Sequence, residues 1–497
     1  MTDAVTTAIA PDAETAALLA KLAVPVTRIT SDSRRVRPGD VFAAYPGSHQ
    51  DGRRFIADAI GRGAGAIVWE VEGFSWNREW KLPHLPVGHL QTRLGIIADL
   101  VYGHPSRELW VVGVTGTNGK TSCAHWIAAG LDAAGRRAAV LGTLGNGLWG
   151  SLEPATHTTP DAAGLQELLR EVRTKGAEVV AMEVSSHGLD QGRVNGVAFD
   201  VALFTNLSRD HLDYHGTMAA YGAAKARLFA WPGLRVGVVN ADDPFGQSLI
   251  DMARAKGRKV LTYGFGTADI VGGRLTATNA GLAFAVETPW GRGEIYSRLV
   301  GAFNAANLLG VLGVMLVSGV SLETALGFLA GVDAPPGRMQ RLGGEQAPLV
   351  VIDYAHTPDA LDQVLTSLRS AVVGRGELVC VFGCGGDRDR GKRPEMGRVA
   401  ARLADRVIVT SDNPRSEDPG AIASDIVHGI RDTGNRRYAV ELDRASAIAT
   451  AIAEAKVGDV VLLAGKGHEP CQERAGVQYP FLDADHAARA LALRSAR

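Results

Sequence analysis

An apolar run over 109–114 breaks at a Gly116-Thr117-Asn118-Gly119 turn, and Lys120-Thr121 then open a segment with helical character to about residue 135. A strand, a glycine turn and a helix in that order strongly constrain the fold. Successive backbone N–H groups of the turn and the first turn of the helix form a nest for an anion. A lysine reaches terminal phosphates and a hydroxyl ligates Mg²⁺. Residues 116–121 are therefore read as a nucleotide site. The strict phosphate-loop pattern would put its first glycine at Val114, where Gly113 and Gly116 flank the position instead, so this loop is a relaxed one.

At 497 residues the chain is too long for one hydrophobic core and predicts two to four domains. Hydrophobic residues make up 46%, charged residues 21%, and glycine occupies 60 positions, as in a globular α/β protein with many tight strand–helix turns. A net charge of −1 argues against nucleic acid or membrane insertion. Cys123, Cys380, Cys384 and Cys471 are scattered, at spacings unlike a zinc ribbon, and read as reduced thiols. The first fifteen residues lack the basic start and apolar core of a signal peptide. The longest apolar run, 308–320, suits a buried helix better than a membrane span. A cytoplasmic location is expected.

Three blocks follow along the chain. Residues 1–107 mix short strands and helices, with a turn at Pro38-Gly39 leading into a strand. Residues 108–338 alternate strands with helices over 121–134, 161–175 and 217–230, then cross a strand-rich patch at 261–300 and an apolar helix over 303–318. After Pro335-Pro336-Gly337, residues 339–497 repeat the alternation, with helices over 358–372, 394–403, 419–431 and 443–456. The expected class is α/β in three domains. A smaller N-terminal α/β domain precedes a central P-loop-type domain with a doubly wound, mostly parallel sheet, and a C-terminal Rossmann-like domain follows. Ligands gather at the carboxyl ends of strands in such sheets, and the polar clusters lie at those ends.

Glu183 ends a strand, and beside a phosphate loop a carboxylate is a good Mg²⁺ ligand because the ion prefers hard oxygens. Asp210, His211, Asp213 and His215 crowd the end of another strand, where metal contact and a capping role explain the acids equally well. Thr158 and Thr159 either donate to an anionic substrate or cap a helix with Pro160 at its first position. Lys225 reads as an ordinary solvated helix lysine. Arg388, Arg390, Lys392 and Arg393 follow one glycine turn, Arg415 sits in a second turn, and Lys466, His468 and Glu469 in a third. Three such turns at strand ends of one sheet predict a crevice suited to an amino acid bearing both charges.

Taken together these strings resemble the Mur ligase family over almost the whole chain. TSDSR (30–34), GTNGKTS (116–122), MEVSSHGL (182–189), FTNLSRDHLDYHG (204–216), AAK (223–225), GAFNAANLL (301–309), GRM (337–339), DYAHTPDAL (353–361), FGCGGDRDRGKRP (382–394), DNPR (412–415) and GKGHE (465–469) occur in family order. DNPR resembles the signature of members that add meso-diaminopimelate rather than lysine.

The resemblance implies a monomeric, cytoplasmic, ATP-dependent ligase of peptidoglycan precursor synthesis. Its substrates would be ATP, UDP-MurNAc-L-Ala-D-Glu and meso-diaminopimelate, joined through an acyl phosphate on the D-Glu γ-carboxylate. It implies Lys120 on the γ-phosphate, Ser122 in the nucleotide loop, and Asn304, Arg338, Asp353 and His356 near the nucleotide. Thr121 and Glu183 would hold one Mg²⁺, and His211 with a carbamylated Lys225 a second. Ser31, Ser33, Ser48, His49, Gln50, His157, Thr158, Thr159, Ser185, Gln191 and Arg193 would hold the sugar peptide. Arg388, Asp412, Asn413, Pro414, Arg415, Gly465 and Glu469 would hold diaminopimelate. Relatives often carry Asn where His157 stands. A lysine-adding enzyme, a folylpolyglutamate synthetase, a nucleotide-binding protein that joins nothing and a phosphotransferase are the rival readings. DNPR and the SDSR-bearing N-terminal block argue against the folate enzyme.

Overall fold

The segment Val460–Ala464 is apolar and buried at every position, the pattern of a parallel strand covered by helices on both faces. Such strands organise both compact units into which the chain packs. The computed structural model describes residues 12–47, 50–344 and 346–495. One unit comprises the chain to Val239 with Asp243–Leu261, and the other Asn240–Asp242 with Thr262 onward.

In the first unit β1 (Ile29–Thr30), β2 (Val41–Ala44), β3 (Ala66–Glu70) and β4 (His84–Val87) form a parallel sheet in sequence order. One face packs on helix Leu90–Val101 and on Ala162 and Ala163 of helix Ala162–Thr174. The other face packs on helix Ile56–Gly61 and, around Trp69 of β3, on the aromatics Phe74, Trp76 and Trp80. Arg28 ties this sheet to the same long helix through Glu167, at 2.7 Å.

The chain then forms β5 (Trp110–Thr115), β6 (Ala138–Gly142), β7 (Gly145–Leu148), β8 (Ser151–Glu153), β9 (Val179–Glu183), β10 (Val201–Phe204) and β11 (Val236–Asn240). Their order is β8-β7-β6-β9-β5-β10-β11, parallel from β6 to β11. The chain moves to one side of β5 through β6 and β9, then crosses to β10 on the other. The strand order therefore reverses at β5, where a parallel sheet opens a ligand crevice.

Strand β12 (Lys259–Gly264) carries the chain into the second unit and leads to β13 (Ile270–Gly272), β14 (Thr276–Ala277), β15 (Leu282–Thr288) and β16 (Gly291–Ser297), in which β15 pairs antiparallel with its neighbours. The apolar helix Ala302–Val317 follows and is buried along most of its length. Strands β17 (Gln340–Gly343), β18 (Leu349–Asp353), β19 (Leu378–Phe382), β20 (Arg406–Val409), β21 (Tyr438–Val440) and β22 (Val460–Ala464) take the order β17-β18-β22-β19-β20-β21. Only β17 runs antiparallel. Helices Pro358–Arg369, Lys392–Leu403 and Pro419–Asp432 contribute to the core on one face. Helices Arg444–Glu454 and Asp483–Ser495 cover the other. A hairpin of β23 (Cys471–Arg474) and β24 (Val477–Pro480) projects between β22 and the last helix in sequence. Among the described residues no helix is long and apolar enough to cross a membrane.

Local chemistry starts the helices where expected. Asp161, Thr217, Asp243, Thr357, Asp418 and Asp443 each accept a hydrogen bond from an N–H in the first turn, and Pro244, Pro358 and Pro419 fill first helical positions. The cap at 161 corrects one expectation: the helix begins at Ala162, so Thr158, Thr159 and Pro160 lie outside it. The helices Pro244–Ala255 and Leu322–Ala330 and the hairpins β7–β8 and β23–β24 were not anticipated.

The helices Lys392–Leu403 and Pro419–Asp432 cross closely because glycines stand at the contact. A Cβ on Gly429 would meet the Pro394 carbonyl oxygen at 1.9 Å, and one on Gly397 the Ile426 carbonyl oxygen at 2.2 Å. Backbone cannot swing aside as a side chain does. Gly429→Ala is expected to destabilise the second unit by about 1–3 kcal/mol through overpacking, read as a lower thermal midpoint; an unchanged midpoint would show that the crossing relaxes freely.

Candidate active site

The register of β5 against its neighbours builds the first site. Val114 pairs with Glu183 across the β5–β9 ladder and Thr115 with Phe204 across the β5–β10 ladder. The loops after the three strands therefore emerge side by side. The phosphate loop is clipped by the end of β10. Thr117 N–H donates to the Asn206 carbonyl (2.8 Å), Asn118 N–H to Asn206 Oδ1 (3.0 Å), and Thr205 Oγ1 to the Asn118 carbonyl (2.6 Å). Gly116 has φ +152°, and a Cβ there would lie 1.9 Å from Thr205 Oγ1, so only glycine fits under this clip.

Three groups meet at the loop's mouth. Thr121 Oγ1 donates to Glu183 Oε2 at 2.9 Å, and the other carboxylate oxygen accepts from Thr143 N–H at 2.7 Å. Lys120 Nζ donates to the Gly116 and Thr117 carbonyls at 2.9 and 2.7 Å. Lys225 overturns its reading as a solvated lysine. It is 1% exposed, donates to the Gly116 carbonyl at 2.7 Å, and lies 4.4 Å from the centre of the Tyr221 ring. Burial above all, with the Lys120 charge in addition, pushes its pKa well below the ordinary lysine range. Tyr221, in turn, bonds Thr117 Oγ1 at 3.1 Å.

His211 adopts a left-handed backbone (φ +52°) just before a short turn of helix, with Asp210 Oδ1 accepting its N–H at 2.8 Å and Asp213 in that turn. Its ring lies 4.8 Å from that of His187. His215 Nε2 hydrogen-bonds Ser186 Oγ at 2.9 Å. Among the described residues no group of three or more His, Cys, Asp and Glu side chains is arranged to hold a metal ion.

The sugar-peptide candidates adjoin the same strand ends. Thr159 Oγ1 donates to the Glu183 carbonyl (2.9 Å) and accepts from Ser185 N–H (3.0 Å), while Ser185 caps the helix Ser186–Asp190. Thr158 Oγ1 accepts from Thr143 Oγ1 at 3.0 Å. Arg193 donates to the Thr159 carbonyl and to Gln191 Oε1, both at 2.9 Å. Ser31 Oγ donates to Asp161 Oδ1 at 2.8 Å, Ser33 is buried, and the Gln50 carbonyl accepts from Gly47 N–H. His157, Gln191 and Arg193 line a cavity of about 170 Å³ together with Tyr45, Gly47, Gln91, Asp161 and Ala162. Tyr45 and Gln91 carried no distinguishing sequence signal, and Asp161, which directly follows Thr158, Thr159 and Pro160, carried none as a site residue. Ser48 and His49 fall outside the described residues.

The second unit gathers the remaining candidates. Because β22 inserts between β18 and β19, the turn at 465–469 emerges between the turns at 354–357 and 383–391. Lys466 is fully buried, and its three protons go to Asn413 Oδ1 (3.2 Å), Glu469 Oε2 (3.1 Å) and the Cys471 carbonyl (2.7 Å). Asn413 Nδ2 donates to Glu469 Oε2 at 2.7 Å. Asp412 is buried against Gly465, and burial raises its pKa. Arg444 and Asp483 form a fully buried ion pair, and Arg444 also donates to the Ser411 carbonyl just beyond β20 and to the Ala464 carbonyl that ends β22. Arg415 follows Pro414 with φ +52° and donates to the Gly386 carbonyl at 2.7 Å. The Cγ of Arg388 lies 3.8 Å from where a Cβ on Gly385 would stand.

The nucleotide candidates of this unit are partly committed to backbone. Asp353 accepts from Met339 and Ala355 N–H groups, both at 2.8 Å. Asn304 Nδ2 donates to the Val300 carbonyl. Arg338 lies over the Tyr354 ring at 4.7 Å, and His356 Nδ1 bonds the Tyr354 carbonyl.

Residues 25–102 match the catalytic domain of the Mur ligase family, residues 114–315 the Mur ligase middle domain, and residues 337–467 the Mur ligase glutamate ligase domain. A relative from Chromobacterium violaceum, UDP-N-acetylmuramoyl-L-alanyl-D-glutamate–2,6-diaminopimelate ligase, is 54% identical over 468 residues, 94% of each chain. A solved structure of an enzyme of the same name superposes with TM-score 0.69 at 40% identity, covering 95% of this chain and 96% of that one. Folylpolyglutamate synthase of Mycobacterium tuberculosis, complexed with ADP and AMPPCP, shares the fold at TM-score 0.60 and 22% identity, over 74% of this chain and 91% of its own.

Two histidines mark the pH response. Burial first, with nearby cationic groups adding, lowers His187 and His468 from 6.5 to about 4. The unfolded chain then binds protons at these positions that the folded chain does not, so stability is full above about pH 6.5 and is lost as pH falls towards 4. The thermal midpoint is expected to fall across that window, with a shallower slope in His468→Asn; an equal slope in the variant would assign the effect elsewhere.

Proposed function

The chain belongs to the Mur ligase family and is an ATP-dependent ligase, and we propose that it joins meso-2,6-diaminopimelate to the D-Glu γ-carboxylate of UDP-MurNAc-L-Ala-D-Glu in peptidoglycan precursor synthesis. The observation that carries this reading is the 54% identity, over 94% of both chains, to a ligase named for those substrates. Arg415 at a strand end of the second unit supplies the physical argument for the amine substrate. Its guanidinium can pair with the distal carboxylate of diaminopimelate, a group lysine lacks.

The three matched segments correspond to three tasks. Residues 1–107 and the start of the middle segment hold the nucleotide-linked sugar peptide through Ser31, Thr158, Thr159, Ser185, Gln191 and Arg193. The phosphate loop holds ATP. The last segment holds diaminopimelate through Arg388, Asn413, Arg415 and Glu469. The γ-carboxylate oxygen attacks the γ-phosphorus of ATP and ADP leaves. The diaminopimelate amine then attacks the acyl carbon, loses a proton, and phosphate departs. Lys120 and the N–H groups of 116–121 neutralise charge on the transferring phosphoryl group, and the clip from Thr205 and Asn206 keeps those dipoles oriented before the reaction begins.

Mg²⁺ fits the first site. Thr121 Oγ1 and Glu183 Oε2 are adjacent hard oxygens, and a site with few protein ligands suits an ion that keeps phosphate and water oxygens around it. When bound, the ion supplies charge stabilisation at the phosphoryl and acyl oxygens. Lys225 suits carbamylation, because a buried amine held neutral is nucleophilic toward CO₂, and the product replaces a cation by an anion beside Lys120. His211, in the loop that follows β10, is the candidate ligand of a second ion.

Four outcomes test the reading. ADP release should require both the nucleotide-linked dipeptide and diaminopimelate, with folate plus glutamate inert and no phosphorylated product accumulating. Lysine should be turned over poorly. Arg415→Lys should raise the diaminopimelate KM by one to two orders of magnitude, from loss of a charged, bidentate partner worth about 1.5–3 kcal/mol, while the ATP KM stays near wild type; equal losses for both substrates would indicate misfolding. Intact-mass measurement should find one CO₂ on the native chain and none on Lys225→Ala.

A further inference from the structure

Arg415 already has a carboxylate. Its Nε lies 3.3 Å from Glu473 Oε2 on strand β23. The backbone brings the two residues together: Arg415 N–H donates to the Glu473 carbonyl at 3.1 Å and Ala475 N–H to the Arg415 carbonyl at 2.7 Å, a bridge that seats the DNPR turn against the hairpin. These two bonds also hold Arg415 in the left-handed region, which L residues disfavour. Other nearby charges are engaged elsewhere. Arg474 is bound to Gln472 Oε1, Asp387 to Ser416, and Glu417 to Arg393 and Arg390.

The guanidinium offers two edges to a carboxylate fork. Nη1 donates to the Gly386 carbonyl at 2.7 Å, which encumbers the end-on edge. The side-on edge, Nε with Nη2, is the one Glu473 touches. Glu473 is 34% exposed, so it can turn to solvent without opening the core.

We propose that Glu473 is a resident stand-in for the distal carboxylate of the amino-acid substrate: it holds the Arg415 guanidinium in place and is displaced when a substrate carboxylate takes the side-on edge. The inference rests on the diaminopimelate reading above. An amino acid with a second carboxylate must break the Glu473 pair to bind. Lysine leaves the pair intact, so Arg415 is not stranded when lysine occupies the site. Glu473 therefore narrows the gap between the two substrates, and its removal widens it.

The test compares wild type with Glu473→Gln and Glu473→Ala, measuring KM for diaminopimelate, lysine and ATP. A partly exposed ion pair contributes about 0.2–1 kcal/mol, so the diaminopimelate KM should fall about 1.4- to fivefold in both variants. The lysine and ATP KM values should stay at wild type. A diaminopimelate KM that rises, or does not move, overturns the proposal, the first result marking Glu473 as an orienting group or a ligand of the substrate ammonium. Equal shifts for diaminopimelate and lysine overturn it as well. Failure of the wild-type enzyme to use diaminopimelate at all would instead remove the reading on which the proposal stands.

Discussion

Glu183 stands opposite Val114 in the ladder between the two strands, and that register decides the chemistry of the first unit. Slipping β9 by one residue would turn Glu183 to the other face of the sheet. In register, the carboxylate reaches the Thr121 hydroxyl on one side and the Thr143 N–H on the other. Thr159 and Ser185 then hang on the same strand end through the Glu183 carbonyl. The proposed nucleotide and sugar-peptide sites are thus joined by one residue, its side chain bonded on the side of the first and its backbone on the side of the second.

The second unit uses buried charge for a comparable purpose. Lys466 has no exposure, and its three bonds fix Asn413, Glu469 and the start of the last hairpin. Arg444 and Asp483 do the same for the ends of β20 and β22. Neither arrangement is an economical way to gain stability, since desolvating an ion pair offsets much of its attraction. Each does specify one loop geometry, because any other would leave a buried charge unpaired. Rigid loops matter here: a guanidinium recognises a carboxylate through directed bonds, and misplacement by an ångström forfeits them.

Much of this was legible in the residues. Runs such as 178–183 and 459–464 are apolar enough to name themselves strands, and Asp or Thr caps with proline at the next position mark the helix starts. The phosphate loop declares itself through its place between an apolar strand and a helix. Lys225 did not. A lysine on a helix with alanines around it reads as solvated, and what buries it is Tyr221 and the underside of the phosphate loop, more than a hundred residues away in sequence for the Gly116 carbonyl. Tyr45, Gln91 and Asp161 were missed for the same reason, since a cavity wall assembled from four separate segments has no linear pattern. Thr159 was legible as a polar loop residue but not as the partner of Glu183.

What the chain's order of residues determined by itself is the alternation of strands and helices, the position of the turns, and which polar groups crowd the strand ends. Those follow from local rules: backbone conformation, side-chain periodicity and capping. Tertiary structure alone decided which strand ends are neighbours. The insertion of β22 between β18 and β19 sets the Gly465–Glu469 turn beside the other two, and the hairpin that follows delivers Glu473 to Arg415. Strand order is chosen by how helices cover both faces of the sheet, a balance of packing over the whole unit that no short stretch of sequence contains.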